Sequence, residues 1–334
     1  MMSKGIVFVV NQVRELGLKQ STTYLIARVL ERGHVVHLVE SGTVYQDEND
    51  RVMASGCWTV RASDLDRCDV ATLVARLQTL AVDEAPLELS SPEVIELVLM
   101  RTNPARDTRG WAHQNVLTFL EIVRDRGVRV VNDPTGLRKA STKLYLQEFA
   151  PLVRPRTMIA RDPGALRRFI DRINGPCVFK PLRGTHGRDV FKIAGPEAEN
   201  LAQIIEIMTR SDYVIAQEFV PEAGAGDVRL LLVDGDLFER EGKVAAVHRV
   251  PGKSDFRSNV SAGGSVRKAM ISDKMREVVA HMGDVLRRDG IFLAGVDFIG
   301  SKVVEVNVFS PGGLTDAEHF EGVDFTGAFL DALL

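Results

Sequence analysis

Apolar runs and amphipathic stretches alternate through the first third of the chain. Ile6-Val7-Phe8-Val9-Val10 is a continuous apolar run and predicts a first strand. Ser21-Thr22-Thr23 offers helix N-caps, after which Leu25, Ile26, Val29 and Leu30 recur at helical spacing up to Gly33. Strands are predicted over 35–39, 95–100 and 128–131, and Val116, Leu117, Leu120 and Val123 mark a helix that ends near Gly127. Strand, helix and strand in turn argue for a parallel sheet covered by helices. Residues 41–92 are patterned more weakly and predict an edge hairpin and one helix over 70–80.

The texture changes from about Asn132. A helix is predicted over 137–149, ending before Pro151. Cys177-Val178-Phe179-Lys180-Pro181 reads as a short strand running into the glycine loop Gly184-Thr185-His186-Gly187, and 190–193 returns as a strand, giving a hairpin over that loop. A strand over 214–220 is stopped by Pro221. Segments 227–233 and 237–241 flank Asp234-Gly235, a strong two-residue hairpin signal. Residues 251–264 have no period and many small side chains, which predicts a long loop of the kind that serves as a lid. A helix over 275–288 precedes the last two strands.

Those last strands carry the loudest chemical signal. They read Gly295-Val296-Asp297-Phe298-Ile299, then Gly300-Ser301-Lys302, then Val303-Val304-Glu305-Val306-Asn307-Val308. Side chains alternate faces along a strand. A turn centred on Ser301 places Asp297 opposite Glu305, with Asn307 on the same face and Val296, Phe298, Val304, Val306 and Val308 on the other. Like charges opposite each other destabilise a sheet, and a divalent cation with oxygen ligands reverses that sign. A half-exposed hairpin with a wet acidic face satisfies the same spacing.

Composition narrows the classes. With 334 residues, 45% of them hydrophobic, the chain has material for two or three domains. A net charge of −3 supplies no general basic field for a nucleic-acid backbone. No segment approaches the roughly 20 apolar residues of a membrane span, and the opening apolar run is too short for a signal peptide. Cys57, Cys68 and Cys177 are odd in number and lack metal spacing, so they read as thiols in a reducing compartment, with the cytoplasm expected.

Several features point to a nucleoside triphosphate. Lys180 ends an apolar strand just before the glycine loop and can set a point charge on a phosphate. Backbone N–H groups of 184–187 can approach phosphate oxygens closely. Lys143, expected inside the amphipathic helix, can reach the same phosphates. Taken singly, each lysine reads more readily as a solvated surface charge. The Walker pattern GxxxxGK[ST] is absent, and no GxGxxG follows the first strand. Gln217-Glu218-Phe219-Val220 ends a strand where backbone amides can meet an adenine and a carboxylate a ribose. Gly226-Asp227-Val228-Arg229 places an arginine at the start of a strand, and Arg257, Asn259, Gly263 and Gly264 lie in or beside the long loop, where arginines can neutralise developing phosphoryl charge. His186 fits a phosphate or substrate contact better than a general base. Arg101 and Arg106 follow the C-terminal end of a parallel strand, where open α/β sheets bind ligands, and a substrate carboxylate suits them.

Order and spacing carry more than any one residue. The series Lys143, Val178-Phe179-Lys180-Pro181-Leu182, Gln217-Glu218, Gly226-Asp227-Val228-Arg229-Leu230, Arg257-Ser258-Asn259-Val260, Gly263-Gly264, Gly295-Val296-Asp297-Phe298-Ile299-Gly300, Glu305-Val306-Asn307-Val308 and Ser310-Pro311 resembles the bacterial glutathione synthetase family of ATP-grasp ligases. The likeness runs over 5–311 and includes Met100-Arg101 and Asn132-Asp133-Pro134. It implies an α/β chain: an N-terminal parallel-sheet (pre-ATP-grasp) domain over 1–132, then an ATP-grasp domain over 133–334 whose two α+β subdomains, about 145–216 as a lid and about 217–334, enclose the nucleotide.

The resemblance also implies a chemistry. It is ADP-forming, ATP-dependent ligation of a carboxylic acid to an amine through an acyl phosphate, with γ-glutamylcysteine and glycine as the family's substrates. Lys143, Lys180, Gly184, Gly187 and Asn259 would contact ATP, and Gln217, Glu218 and Val220 would hold its adenine side. Asp297, Glu305 and Asn307 would bind two Mg²⁺ ions, with Mn²⁺ able to replace them. Arg229 would meet the transferred phosphoryl group or the substrate carboxylate, Arg257 would close over the intermediate, and Arg101, Gly263, Gly264 and Ser310 would hold substrates. The expected partners are small molecules, and the expected assembly is a homo-oligomer, dimer or tetramer.

The sequence departs from that pattern in places. Ser141-Thr142 stand where the family has Asn-Glu, Gly184-Thr185-His186-Gly187 replaces Gly-x-Gly-Gly, Phe309 precedes Ser310-Pro311 where a threonine is usual, and Thr102-Asn103-Pro104-Ala105 lacks the usual lysine and acid. The last two departures fall where small substrates are expected. Two other readings therefore stand beside glutathione synthesis: a ligase that adds amino acids to a peptide or protein, and a non-catalytic ATP-binding regulator of the synapsin type.

Overall fold

The computed structural model describes residues 4–104, 106–107, 109–183, 189–252 and 264–334. Its N-terminal sheet has Gly5–Val10 at the centre, with Val35–Glu40 and Ile95–Met100 parallel on either side and Arg129–Val131 parallel beyond. Trp58–Val60 closes one edge antiparallel to Val35–Glu40. The central strand is apolar at every position because both faces are covered. Val7 and Val9 enter one core, and Ile6, Phe8 and Val10 enter another. The weakly patterned stretch holds more than the predicted hairpin. Val44–Gln46, Val52–Ala54 and Leu87–Glu88 form a small three-stranded sheet, and Val70–Thr79 forms the predicted helix.

Two antiparallel sheets make the second half. One has Cys177–Pro181 between Phe191–Ile193 and Val214–Glu218, with Thr157–Ala160 on the outer edge. The predicted hairpin over the glycine loop is present, since Cys177 pairs with Ile193. This sheet packs the helices Pro163–Ile173 and Leu201–Thr209 into a core of its own, with Phe169, Phe179, Ile193 and Ile205 inside. The other sheet runs Ser265–Lys268, Ala246–Val250, Asp227–Val233, Leu293–Ile299, Lys302–Asn307. Its strands share the two large cores with the N-terminal sheet. The final helix, Phe325–Leu333, buries Phe325, Phe329 and Leu330 beside the first helix, Ser21–Glu31, and Arg32 there donates to Gly327 O and Asp331 Oδ1 at 2.8 and 2.7 Å.

Two predicted helices are broken. The one expected over 137–149 starts earlier, as Pro134–Lys139 with Asp133 accepting from the Thr135 and Gly136 amides, and gives way to a 3-10 helix, Lys143–Glu148. Thr142 is extended there and its hydroxyl accepts from Leu144 N, a local bond that competes with helix continuation. Lys143 thus opens a new turn and does not sit mid-helix. The segment expected over 275–288 divides into Asp273–Ala280 and Gly283–Arg288. Gly283 lies so close to the Asp234-Gly235 turn that a Cβ there would stand 2.8 Å from Gly235 O.

Candidate active site

The late hairpin forms as a two-residue turn. Ile299 pairs with Lys302 across Gly300-Ser301, and Gly300 takes φ +56°, a left-handed value that suits glycine. A bulge after Asp297 restores the predicted pairing of Asp297 with Glu305 and of Gly295 with Asn307. The bulge corrects the inner face: Val303, fully buried, takes the core position assigned to Val304, and Val304 lines the cleft instead. Asn132 fixes the hairpin to the N-terminal sheet. Its buried amide donates to Leu293 O at 2.9 Å and Val308 O at 2.6 Å and accepts from Leu293 N at 2.8 Å.

Asp297 is only 2% exposed, and a bare carboxylate at that depth would be very costly. Two guanidinium groups answer it. Arg229 donates in fork fashion, Nε to Oδ1 at 2.6 Å and Nη2 to Oδ2 at 2.7 Å, and Arg249 adds Nη2 to Oδ2 at 2.8 Å. Asn307 Nδ2 reaches the same Oδ2 at 3.3 Å. Burial alone would raise the Asp297 pKa, but the two arginines outweigh it and hold the group at about 2. Arg249 is gripped from its far side by Asp227 Oδ1 at 2.6 Å, so acid and base alternate along a chain Asp227, Arg249, Asp297, Arg229. Sequence reading missed Arg249. Its partners lie 22 and 48 residues away, and no local spacing announces them.

Lys143 Nζ stands 3.4 Å from Glu305 Oε1. Lys180 Nζ donates to Gln217 Oε1 at 3.0 Å and to Val304 O at 3.1 Å. Burial pulls the Lys180 ammonium down to about 8, with Glu305 opposing and Lys143 reinforcing that shift. These side chains line one cleft of about 720 Å³, together with Arg229, Arg249 and Asn307. Arg101, Thr22 and Ser310 line the same cleft. Arg101 Nε donates to Thr22 Oγ1 at 3.1 Å, and that hydroxyl is 3.5 Å from Ser310 Oγ. Among the described residues no carboxylate pairs with Arg101, and burial depresses its pKa to about 10.

The remaining candidates fall elsewhere. Glu218 and Val220 end the strand Val214–Glu218 and begin the turn Pro221–Ala225; of that strand, Gln217 and Ile215 line the cleft. Gly264 directly precedes the edge strand Ser265–Lys268. Gly184, His186, Gly187, Arg257, Asn259 and Gly263 lie outside the described residues.

The donor set fits a hard cation. Asp297 and Glu305 face each other across the ladder, Asn307 is within hydrogen-bonding distance of Asp297, and all three offer oxygen. Among the described residues no cluster of three His, Cys, Asp or Glu offers an alternative metal site, and no helix is long and apolar enough to cross a membrane.

Residues 5–138 match the family model for the N-terminal domain of prokaryotic glutathione synthetase, and residues 142–322 match the model for its ATP-grasp domain. The chain is 37% identical to a glutathione synthetase of Synechococcus elongatus, covering 71% of each. It is 31% identical to one of Xanthomonas campestris pv. campestris, covering 99% of this chain and 98% of the relative. Among solved structures it is similar to the D-cycloserine synthetase DcsG, with a TM-score of 0.63 at 17% identity over 98% of this chain and 99% of that one.

Proposed function

We propose that this chain, which belongs to the prokaryotic glutathione synthetase family, joins γ-glutamylcysteine to glycine while splitting ATP to ADP and phosphate. Its fold is the ATP-grasp fold, and the family works with ATP and a divalent metal. The observation that carries the reading is the cleft itself. Lys143, Lys180, the acidic hairpin and two arginines line it, together with a buried Arg101 that has no carboxylate partner among the described residues.

The donor carboxylate attacks the γ-phosphorus of ATP, the bond to the β,γ-bridging oxygen breaks, and an acyl phosphate and ADP result. The acceptor amine then adds to the acyl carbon, phosphate leaves with its electron pair, and the amine proton is released. Lys143 and Lys180 set positive charge on the phosphates of ATP. Arg229 and Arg249 face the oxygens of the transferred group, where charge builds in a loose transition state. Arg101 orients the donor through an ionised carboxylate. Asp297, Glu305 and Asn307 would hold the divalent ions, which supply Lewis-acid stabilisation to the phosphoryl oxygens when bound. No side-chain nucleophile is required, because positioning of the reactants provides much of the rate. A cytoplasmic homo-oligomer is the accompanying expectation.

The test is direct. The protein is incubated with ATP, Mg²⁺, γ-glutamylcysteine and a panel of amino acids, following ADP release and amide products by mass spectrometry. Glutathione formed at one ADP per amide is expected. No ADP release above background with any pair would leave only an ATP-binding protein, and product from a different acid would redirect the assignment.

Lys180 adds a pH dependence. Its ordinary pKa is 10.5 and burial lowers it to about 8, so the free protein loses this charge as pH rises through 8. Phosphate prefers the protonated form. KM for ATP is therefore expected to be flat below pH 7.5 and to climb toward about tenfold per pH unit above 8.5. A Lys180→Arg variant should show no such bend. A wild-type KM unchanged up to pH 9.5 would remove Lys180 from phosphate binding.

A further inference from the structure

The acids of the late hairpin are already answered by the chain's own cations. Asp297 takes four N–H donors, from Arg229 Nε and Nη2, Arg249 Nη2 and Asn307 Nδ2. A carboxylate has about four acceptor positions, so any further cation must compete for it. Glu305, opposite Asp297 on the ladder, meets Lys143 at 3.4 Å. Lys180 lines the same cleft, and both carboxylates attract its charge. Among the described residues that line the cleft, eight are lysine or arginine and three are aspartate or glutamate. The whole chain carries −3, so this positive field is local to the cleft. Such a field draws in a polyanion and repels a free divalent cation.

The cations are not held alike. Arg229 and Arg249 bond Asp297 at 2.6 to 2.8 Å. Lys180 is fixed as well, donating to Gln217 Oε1 and Val304 O. The Lys143–Glu305 contact is longer than the roughly 2.7–2.9 Å of a charge-assisted hydrogen bond, and both side chains reach water, at 20% and 31% exposure. Of the ion pairs on these two acids it is the longest and the most exposed. Lys143 opens its 3-10 turn just beyond the extended Thr142, and a lysine carries its charge on a flexible four-carbon stem. A competing polyanion therefore moves this cation ahead of the other three.

From this geometry we infer that Lys143 is a placeholder on Glu305: its ammonium answers the charge that the divalent cation would answer, until a nucleotide's phosphates draw it away, so that the metal binds with the nucleotide and not ahead of it. The inference rests on the proposed function for the presence of ATP and a divalent metal in this cleft, and not on the identity of the acid or the amine. One movement of Lys143 does two things. It brings positive charge to the phosphates, and it frees a carboxylate oxygen for the metal. The coupling is reciprocal, so the metal tightens nucleotide binding by the factor by which nucleotide tightens metal binding.

Equilibrium dialysis of Mn²⁺ against the protein, with and without a non-hydrolysable ATP analogue, tests it. The analogue and its Mn²⁺ complex cross the membrane, so the excess on the protein side is metal held by protein. The wild-type protein is expected to hold Mn²⁺ at least about tenfold more tightly with the analogue than without it, a factor within the ordinary range of coupling between two sites. Lys143→Met keeps an unbranched stem and removes the charge. Without the analogue it is expected to hold Mn²⁺ about tenfold more tightly than wild type, and the gain should vanish in the double variant Lys143→Met/Glu305→Gln. Thermal unfolding checks folding, and Lys143→Gln takes the place of Lys143→Met should the latter not fold. Three results would each overturn the inference and leave the ligase reading intact: a wild type that holds Mn²⁺ equally with and without the analogue, a Lys143 variant that holds it no better than wild type, and a gain that survives loss of Glu305, which would be general relief of repulsion. Mn²⁺ retained by no protein under either condition would remove the metal from the cleft and overturn both.

Discussion

Replacing Glu305 with glutamine is expected to reduce ATP-dependent ADP release by about 10³-fold, because several kcal/mol of charge stabilisation on the phosphoryl oxygens would go with the cation it helps hold. The same loss is expected for Asp297→Asn, but the two variants should differ in stability. Glu305 is half-exposed and its side chain meets Lys143 at 3.4 Å across the cleft mouth. Its removal leaves a lysine that water can still reach, so the melting temperature should stay within a few degrees of wild type. Asp297 is buried under Arg229 and Arg249. Neutralising it leaves two guanidinium groups with Asp227 as their remaining close acid on this chain of charges. Breaking a buried pair in this way typically costs about 3–5 kcal/mol. Asp297→Asn should therefore unfold earlier as well as lose turnover. The measurements are a coupled ADP assay and thermal unfolding. Glu305→Gln turning over near the wild-type rate would remove the cation from this hairpin, and an Asp297→Asn protein as stable as wild type would mean that the arginines find other partners.

The pairing of Asp297 with Glu305 was legible because side-chain alternation is a local rule that survives errors nearby. The turn was misplaced by half a residue, and the bulge after Asp297 compensated for it, leaving the acidic face correct and exchanging Val304 for Val303 in the core. A bulge leaves no mark in a run of valines. The parallel N-terminal sheet was legible for the same reason: its central strand must be apolar on both faces. The broken helices were not, because Thr142 and Gly283 act through a cap and a close backbone approach that helical periodicity does not encode. Asn132 was noticed only as part of a resemblance. Its clamp on Leu293 and Val308 spans 161 and 176 residues. Arg249 was invisible for a related reason. It acquires its meaning from Asp227 and Asp297 on other strands, and it stands in no spacing that names a chemistry.

Arg229→Lys is expected to lower kcat by about 10²-fold, with KM for ATP changed by no more than about threefold, a size set by the loss of one preorganised donor to the transition state. The fork geometry is the reason. Arg229 places Nε and Nη2 on the two oxygens of Asp297 at 2.6 and 2.7 Å while its side chain remains 14% exposed to the cleft. A guanidinium so anchored can hold a direction toward the phosphoryl group at no further cost in ordering. A lysine ammonium keeps the charge and loses the second anchor, and so swings. Arg249 is held from both sides, by Asp227 and by Asp297. Without Asp297, Arg249 would still be braced by Asp227, whereas Arg229 relies on Asp297 for its fork. The lysine substitution should therefore separate the two arginines, with kcat falling further for Arg229→Lys than for Arg249→Lys. Pre-steady-state ADP formation, compared with amide formation in the same quench series, locates the defect in the phosphoryl-transfer step. An Arg229→Lys enzyme that forms ADP as fast as wild type would show that charge alone suffices at this position, and would move the phosphoryl contact to Arg249.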